Sequence, residues 1–468
     1  MIEINETLSE KLKKLKTEKR EVKWKRLSQT QLIATGFLFI ILIGTFLLML
    51  PISSREGEVT SFFDAMFTAV SASCVTGLIV VDTYTHWSTF GQIVILMMIQ
   101  IGGLGFMTIG ILFSIIIRRK ISLRERGLMQ ESVNTLKIGG IIKLTKKIIK
   151  GTFLLEGTGA LILGIRFSME KDFGFLRGFY YGIFHSISAF CNAGFDLFGY
   201  QGQYSSIVNY SGDIIVNLTI MILIITGGIG FVVWDDVTKH KLNFKKYMLH
   251  TKIVLVTTGI LIFGGAFLFY LLEKDNTFAE MGVIETILSS LFSSVTARTA
   301  GFNSVDTASL TEASKLLTIV LMFIGGSPGS TAGGIKTTTI VVILLFFWSS
   351  MRHTYGCNVF GRRLQHDSII KANAVFSTNL FIAVSAALFI VAMQSTLPLT
   401  DILFEVFSAI GTVGMSTGIT RALETPAKII IIFLMFCGRI GSLSFALSFN
   451  QKRKIAPVQQ PAENVNIG

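Results

Sequence analysis

The sequence predicts an all-α polytopic membrane protein. It is built from four tandem units, each a membrane-spanning helix, a re-entrant loop and a second spanning helix, set with pseudo-four-fold symmetry around one central pore. Three observations predict this. The 468 residues are 51% hydrophobic, only 15% charged, and have a mean hydropathy of +0.62, whereas a soluble domain carries about 25% charged residues. Long apolar runs alternate with polar segments along the chain. One short glycine-containing segment returns four times, at Gly77, Gly194, Gly301 and Gly414, spaced by 117, 107 and 113 residues. A period that long marks a repeated domain-sized unit rather than a solenoid.

Residues 1–28 form a basic, polar tail, expected to be cytoplasmic. Unit 1 (29–117) holds a span at about 30–50, which stops at Pro51, the first loop, and a span at about 88–117 closed by Arg118, Arg119 and Lys120. Unit 2 (118–235) opens with a basic linker through Lys150 and a span at about 151–166, which reaches useful length if it begins within the preceding IIKLTKKIIK. That span contains Glu156, and a lone carboxyl at membrane depth faces protein or water. The second loop follows, then a span at about 212–234. Unit 3 (236–353) has a span at about 251–272, the third loop, and an apolar stretch from Lys315 interrupted by SPGSTAGGIKTTT. Unit 4 (354–450) has spans at about 372–394 and 427–449 around the fourth loop, and a basic tail, 451–468, ends the chain. The N-terminal tail and the segments 118–150, 235–252, 352–371 and 451–454 hold roughly 31 Lys and Arg, against roughly eight on the opposite side. Positive residues stay inside, so both termini are expected in the cytoplasm and the four loops to enter from outside.

The four loops read Cys74-Val75-Thr76-Gly77, Cys191-Asn192-Ala193-Gly194, Arg298-Thr299-Ala300-Gly301 and Gly411-Thr412-Val413-Gly414, each followed by an apolar residue. Before them stand the short apolar runs 61–73, 178–190, 283–295 and 401–410. These cannot cross a hydrocarbon core of about 30 Å, which needs about 20 apolar residues in a helix, so they fit re-entrant half-helices. Irregular backbone at that depth is tolerated where it is buried in protein or lines a watery path. Four such loops meeting at one axis would make a ring of carbonyls able to replace the water of an ion. Glycine supplies a positive φ or a close approach there. Nearby acids, Asp64, Asp82, Asp196 and Asp306, would form a negative funnel that raises the local cation concentration, cap half-helices, or pair with Arg298.

The second spans also repeat: Ile101-Gly102-Gly103-Leu104-Gly105-Phe106, Thr226-Gly227-Gly228-Ile229-Gly230-Phe231, Ile324-Gly325-Gly326-Ser327-Pro328-Gly329 and Cys437-Gly438-Arg439-Ile440-Gly441-Ser442. Small residues let helices approach closely in lipid, which suffices for the first two. Arg439 stands where the others carry glycine, and charge at that depth tends to face a cavity. It is expected to face the pore below the loops as a positive barrier, with a salt bridge or snorkelling as the plainer reading. The segment Gly325, Gly326, Ser327, Pro328, Gly329, Ser330, Thr331, Ala332, Gly333, Gly334 to Lys336 cannot hold a regular helix. It is expected to act as a gating loop that plugs the path and moves aside, with Lys336 pinned to an acid or repelling cations; a simple kink is the alternative.

Four cysteines give neither metal spacing nor a disulfide framework. No paired carboxylates, His/Cys set or Ser-His-Asp arrangement supports an enzyme. The net charge of +13 lies between spans, where topology uses it, which argues against nucleic acid. A secondary transporter with alternating access is the rival reading, although such folds usually show inverted repeats and these units are all parallel.

Together, the loops CVTGLIVVDT, CNAGFD, RTAGFNSVD and GTVGMSTG, the GGSPGSTAGGIKTTT segment and the Arg439 helix resemble the Trk/Ktr/HKT superfamily of potassium transporters over roughly residues 30–450. Without additional spans before the first unit, the chain looks most like the Ktr-type (KtrB-like) membrane subunit. The resemblance implies potassium uptake across the plasma membrane, with K⁺ held by backbone carbonyls at the four loops, the intramembrane gating loop and a pore-facing Arg439. It also implies a homodimer and a cytoplasmic RCK-type (KtrA-like) regulatory ring, through which alone a nucleotide, ATP/ADP or NAD, would act; this chain is expected to bind no cofactor beyond the transported K⁺. Sodium-preferring plant relatives carry Ser at the first filter glycine, so Gly77 favours K⁺. A Na⁺ or K⁺/Na⁺ cotransporter is the alternative.

Overall fold

A computed structural model describes residues 29–105, 108, 110, 123–132, 140–170, 173–241, 243–353, 356–441 and 463. The tail 1–28, Phe106, Ser442, the basic tail 451–454 and most of the linker around 106–139 lie outside the described residues. Unit 1 contains α1 (Gln29–Met49), α2 (Phe62–Ser73) and α3 (Thr89–Leu104), and α4 (Leu123–Ser132) lies in the linker that follows. Unit 2 contains α5 (Ile141–Ser168), α6 (Gly174–Phe190), α7 (Ile214–Gly228) and α8 (Phe231–His240). Unit 3 contains α9 (Leu249–Glu273), α10 (Val283–Thr296), α11 (Glu312–Phe323) and α12 (Thr337–Met351). A small antiparallel hairpin, β1 (Asn358–Val359) and β2 (Arg362–Arg363), precedes unit 4, which contains α13 (His366–Met393), α14 (Leu399–Gly411) and α15 (Thr425–Ile440).

The first helix of each unit, α1, α5, α9 and α13, is long and apolar enough to cross a membrane. Each leaves large apolar side chains exposed, among them Phe39, Leu154, Phe263 and Phe381, as a surface solvated by acyl chains requires. The third span starts at Ile141, within the IIKLTKKIIK stretch, and so reaches useful length. Placing the basic stretch IIKLTKKIIK inside a helix is no contradiction, because lysine stems can lie along apolar surface with the ammonium in water.

The second helices differ from the continuous spans the sequence suggests. α3 stops at Leu104, where Gly105 takes φ 79 and ψ 132. α7 stops at Gly228, and beyond Gly230 (φ 95, ψ 139) the chain turns by 97° into α8. α15 stops at Ile440, with Gly441 at φ 92 and ψ 114. In unit 3 the break is longer and separates α11 from α12. These glycines sit at equivalent places in the repeated motif, and the backbone they adopt is one that side-chain-bearing residues rarely reach. The helix starts are equally well marked: Ser88, Asp213 and Thr311 accept from Gly91 N, Val216 N and Ser314 N at the heads of α3, α7 and α11, and proline occupies the first turn of α15.

The first glycine of the motif sets the packing. A Cβ on Gly102, Gly227 or Gly438 would strike the carbonyl oxygen of Ser73, Phe190 or Ile410, the residue four places before the loop glycine of the same unit. In units 1, 2 and 4 the second helix thus lies directly against the end of the preceding short helix, whereas in unit 3 the equivalent Gly325 meets Gly333 O of its own segment. Contacts also run between units: α3 packs on α6, α7 on α10, α11 on α14, and α15 returns to α2.

Gly227→Ala is expected to destabilise the protein by about 1–3 kcal/mol, the usual scale of overpacking, seen as a lower denaturation temperature in detergent. Gly157→Ala, at a glycine with open space around it, is the control and is expected to leave that temperature unchanged or slightly raised.

Candidate functional site

The four short helices, α2, α6, α10 and α14, end at Ser73, Phe190, Thr296 and Gly411, next to the four glycine loops. Their last turns contain no basic residue. No basic side chain within those last turns offsets the partial negative charge of the carbonyl ends. In every loop the second residue before the glycine has positive φ: Val75 (57), Asn192 (59), Thr299 (75) and Thr412 (50). The glycines follow at 96, 70, 82 and 91, while the residues between them are not in that region. Alternating hand along a chain turns successive carbonyls to one side of it, instead of to the two sides of a strand.

The loops meet. A Cβ on Gly77 would lie 2.5 Å from Ala193 O and 3.3 Å from Gly194 Cα; one on Gly194 would lie 2.7 Å from Ala300 O. One on Gly301 would strike Val413 O, and one on Gly414 would strike Thr76 O. The order 77, 194, 301, 414 and back to 77 closes on itself. All four glycines line one cavity of about 390 Å³, together with Asp196, Asp306, Ser416, Thr420 and Arg421.

Hydroxyl groups that the sequence reading passed over hold the loops. Ser71 Oγ accepts from Gly77 N, and Ser408 Oγ from Gly414 N, both at 3.1 Å. Ser188 Oγ donates to Phe195 O at 2.7 Å, and Thr296 Oγ1 to Phe302 O at 2.6 Å. The Ser-Ala pair six and five residues before the glycine in loops 1, 2 and 4 was the available signal. Loops 1, 2 and 4 also share one backbone turn, with Thr76 N, Ala193 N and Val413 N each donating to the carbonyl five residues back at 2.8 Å; in loop 3 Ala300 N reaches only four back, to Thr296. Cys74 and Cys191 are buried free thiols, and Cys191 packs on Gly103.

The acids divide. Asp196 and Asp306 line the cavity. Asp82 is buried and consumed by Tyr84 N, Thr85 N and Tyr204 N at 3.0, 2.7 and 2.9 Å, and Asp64 pairs with Lys428 at 3.4 Å. None pairs with Arg298, which is 8% exposed and has no ion-pair partner among the described residues. Glu156 accepts from Gln100 Nε2 at 3.1 Å, behind loop 2.

The segment between α11 and α12 lies beneath the loops. Thr331 Oγ1 donates to Phe190 O at 3.1 Å, and Gly333 abuts the Thr412 side chain. Ser327 N and Thr331 N bond to Gly228 O and Gly227 O at 3.0 and 3.2 Å, and Phe231 N to Gly329 O at 2.8 Å. Gly325 and Gly334 pack on Gly333 O and Gly411 O; Ser330 Oγ bonds to Ser327 O at 2.7 Å and Pro328 O faces Gly230. Lys336 is not pinned to an acid: its ammonium caps Ala332 O and Gly333 O at 2.8 and 3.2 Å within its own segment. Arg439 makes no salt bridge among the described residues. Its guanidinium donates to Thr331 O, Gly102 O and Gly103 O, joining α15 to the segment and to the end of α3.

A chain of apolar spanning helices with glycine loops gathered at one point is a membrane protein of the transport class, and comparison with known proteins agrees. The family model described as TrkH, cation transport protein, matches residues 4–456, and the chain belongs to that family. It is 45% identical to the Ktr system potassium uptake protein B of Bacillus subtilis, over 96% of this chain and 98% of that one. It is 40% identical to the potassium/sodium uptake protein NtpJ of Enterococcus hirae, over 95% and 98%. The solved structure of the potassium transporter TrkH from Vibrio parahaemolyticus shares the fold, with a TM-score of 0.67, 18% identity and coverage of 88% of this chain and 84% of that one.

Thr296→Val removes the donor to Phe302 O and is expected to cost about 1–3 kcal/mol, lowering the denaturation temperature in detergent. Thr296→Ser keeps the hydroxyl and is expected to restore it.

Proposed function

We propose that this protein takes up potassium across the plasma membrane through a channel-like pore, as the ion-translocating subunit of a Ktr/Trk-type system. The carbonyls of residues 74–77, 191–194, 298–301 and 411–414 form its selectivity filter, with the four units set pseudo-four-fold around one axis. The closed cycle of backbone contacts among Gly77, Gly194, Gly301 and Gly414 carries this reading. A site built from carbonyl dipoles, fed by four helix ends that carry partial negative charge, suits a monovalent cation shedding its water. Asp196 and Asp306 in the outer cavity support attraction of cations from the outside.

The segment 325–336 is the gating loop beneath the filter, and Arg439 is both its latch and a positive barrier on the path. Its three carbonyl partners support the first role: a guanidinium with no carboxylate partner fixes the segment through main-chain oxygens that any ion would also seek. Both termini face the cytoplasm, in keeping with the Lys and Arg distribution. The chain works as a homodimer with a cytoplasmic nucleotide-binding regulatory ring; the naming of its relatives as proteins of a Ktr system supports a partner subunit. The second reading, transport that couples K⁺ to Na⁺ by alternating access, is favoured by the potassium/sodium name of the Enterococcus relative. K⁺ uptake into liposomes with and without a Na⁺ gradient separates the two.

Gly77→Ser places a side chain against Ala193 O in a ring with no slack. It is expected to lower the K⁺-over-Na⁺ preference of uptake by liposomes containing the purified chain; an unchanged preference counts against the filter. Arg439→Ala frees Thr331 and removes the barrier, so K⁺ uptake without the regulatory partner is expected to rise several-fold. Unchanged uptake by a well-folded variant would sink the latch.

A further inference from the structure

The position nine residues before the loop glycine distinguishes the four units. It holds Thr68, His185, Phe292 and Glu405. Thr68 Oγ1 bonds within its own helix, to Asp64 O at 2.9 Å, and Phe292 is a fully buried apolar side chain. In units 2 and 4 the residue is polar, buried, and bonded to the outward-running limb of its own loop. His185 is 0% and Glu405 1% exposed.

His185 Nε2 accepts from Leu197 N at 3.2 Å, three residues past Gly194, and Nδ1 bonds to Tyr181 O at 2.8 Å. A main-chain N–H on one ring nitrogen and a carbonyl on the other fix a neutral imidazole with its proton on Nδ1. Glu405 Oε2 accepts from Ser416 Oγ at 2.8 Å, and Oε1 from Thr420 Oγ1. Ser416 Oγ in turn accepts from Gly418 N at 2.9 Å, and Thr307 Oγ1 of the third loop donates to Ser416 O at 2.7 Å. No cation pairs with Glu405 among the described residues; Lys315 of α11 is paired with Glu312 and Asp401 at 3.1 and 3.3 Å. A buried carboxyl with hydroxyl partners alone is an expensive group to keep, and an apolar residue would fill the same place, as Phe292 does in unit 3.

We propose that Glu405 is a specificity-positioning residue. Through Ser416 and Thr420 it fixes the outer limb of the fourth loop, and His185 fixes the second loop through Leu197. In the cyclic order 77, 194, 301, 414, these two loops face each other across the ring. Loops 1 and 3 have no such tether at this position. One diagonal of the ring is thus braced by polar groups behind the loops, and the spacing of the carbonyls on that diagonal sets the preference between K⁺ and the smaller Na⁺. The inference rests on the reading of the ring as a cation filter.

The test is K⁺ and Na⁺ uptake by liposomes containing the purified full chain. The variants are Glu405→Ala, Glu405→Gln and the pair Ser416→Ala with Thr420→Val, with Gly77→Ser as the filter control and denaturation temperature measured alongside. Glu405→Ala and the Ser416/Thr420 pair are expected to cut the K⁺-over-Na⁺ preference by about five- to tenfold, the scale of one net intramolecular hydrogen bond. Glu405→Gln, which keeps an acceptor and the shape, is expected to retain most of it. An equal fall in uptake of both ions at constant preference is what a merely structural residue gives, and would overturn the inference. So would an unchanged preference where Gly77→Ser alters it. If Gly77→Ser also leaves the preference unchanged, the filter reading fails and this inference falls with it. Should Glu405→Ala not fold, the Ser416/Thr420 pair decides on the same criterion.

Discussion

Four backbone segments approach so closely around one point that no side chain fits at their turning residues. Gly77, Gly194, Gly301 and Gly414 each face a main-chain oxygen or α-carbon of the next loop. Everything behind them serves that approach. The short helices bring the chain in and stop; hydroxyl groups of Ser71, Ser188, Thr296 and Ser408 take up the loop hydrogen bonds. The second helices press their own glycines against the helix ends at Ser73, Phe190 and Ile410. Steric exclusion, more than attraction, defines the geometry: a glycine is required wherever one backbone rests on another.

Repetition of a unit does not make the four copies equal. Loop 3 begins with a buried arginine and closes its turn with a backbone hydrogen bond that spans one residue fewer than in the others. Unit 3 replaces a single-glycine break by the long segment between α11 and α12, whose amides bond to the carbonyls of Gly227 and Gly228 on the second helix of unit 2. Unit 4 supplies the one charged side chain of the motif, Arg439, and that charge is spent on main-chain oxygens of units 1 and 3. Asymmetry of this kind is available only to a single chain carrying four copies, because identical subunits would have to repeat it.

Much of this was legible in the sequence. The four loops, the short helices before them, the four long first helices and the irregular segment 325–336 follow from apolar run length and glycine spacing. The second helices were less legible. Gly105, Gly230 and Gly441 stand within apolar runs that continue past them, and nothing in a run of apolar residues shows that its backbone turns. The same limit applied to charge partners. Lys336, expected either to be pinned to an acid or to repel cations, caps carbonyls in its own segment. Asp82, one of four candidate vestibule acids, is used up by backbone amides.

The sequence by itself determined the fourfold repeat, its order, the membrane class and the four loop glycines, because these depend on local composition and on a period that survives along the chain. The tertiary structure alone decided which loop touches which, which acids line the cavity, and what Arg439, Lys336, His185 and Glu405 bond to. Those outcomes depend on atoms brought together from more than a hundred residues apart, as between Arg439 and Thr331, or on turns such as that linking Glu405 to Ser416. Spacing along a chain carries no record of either.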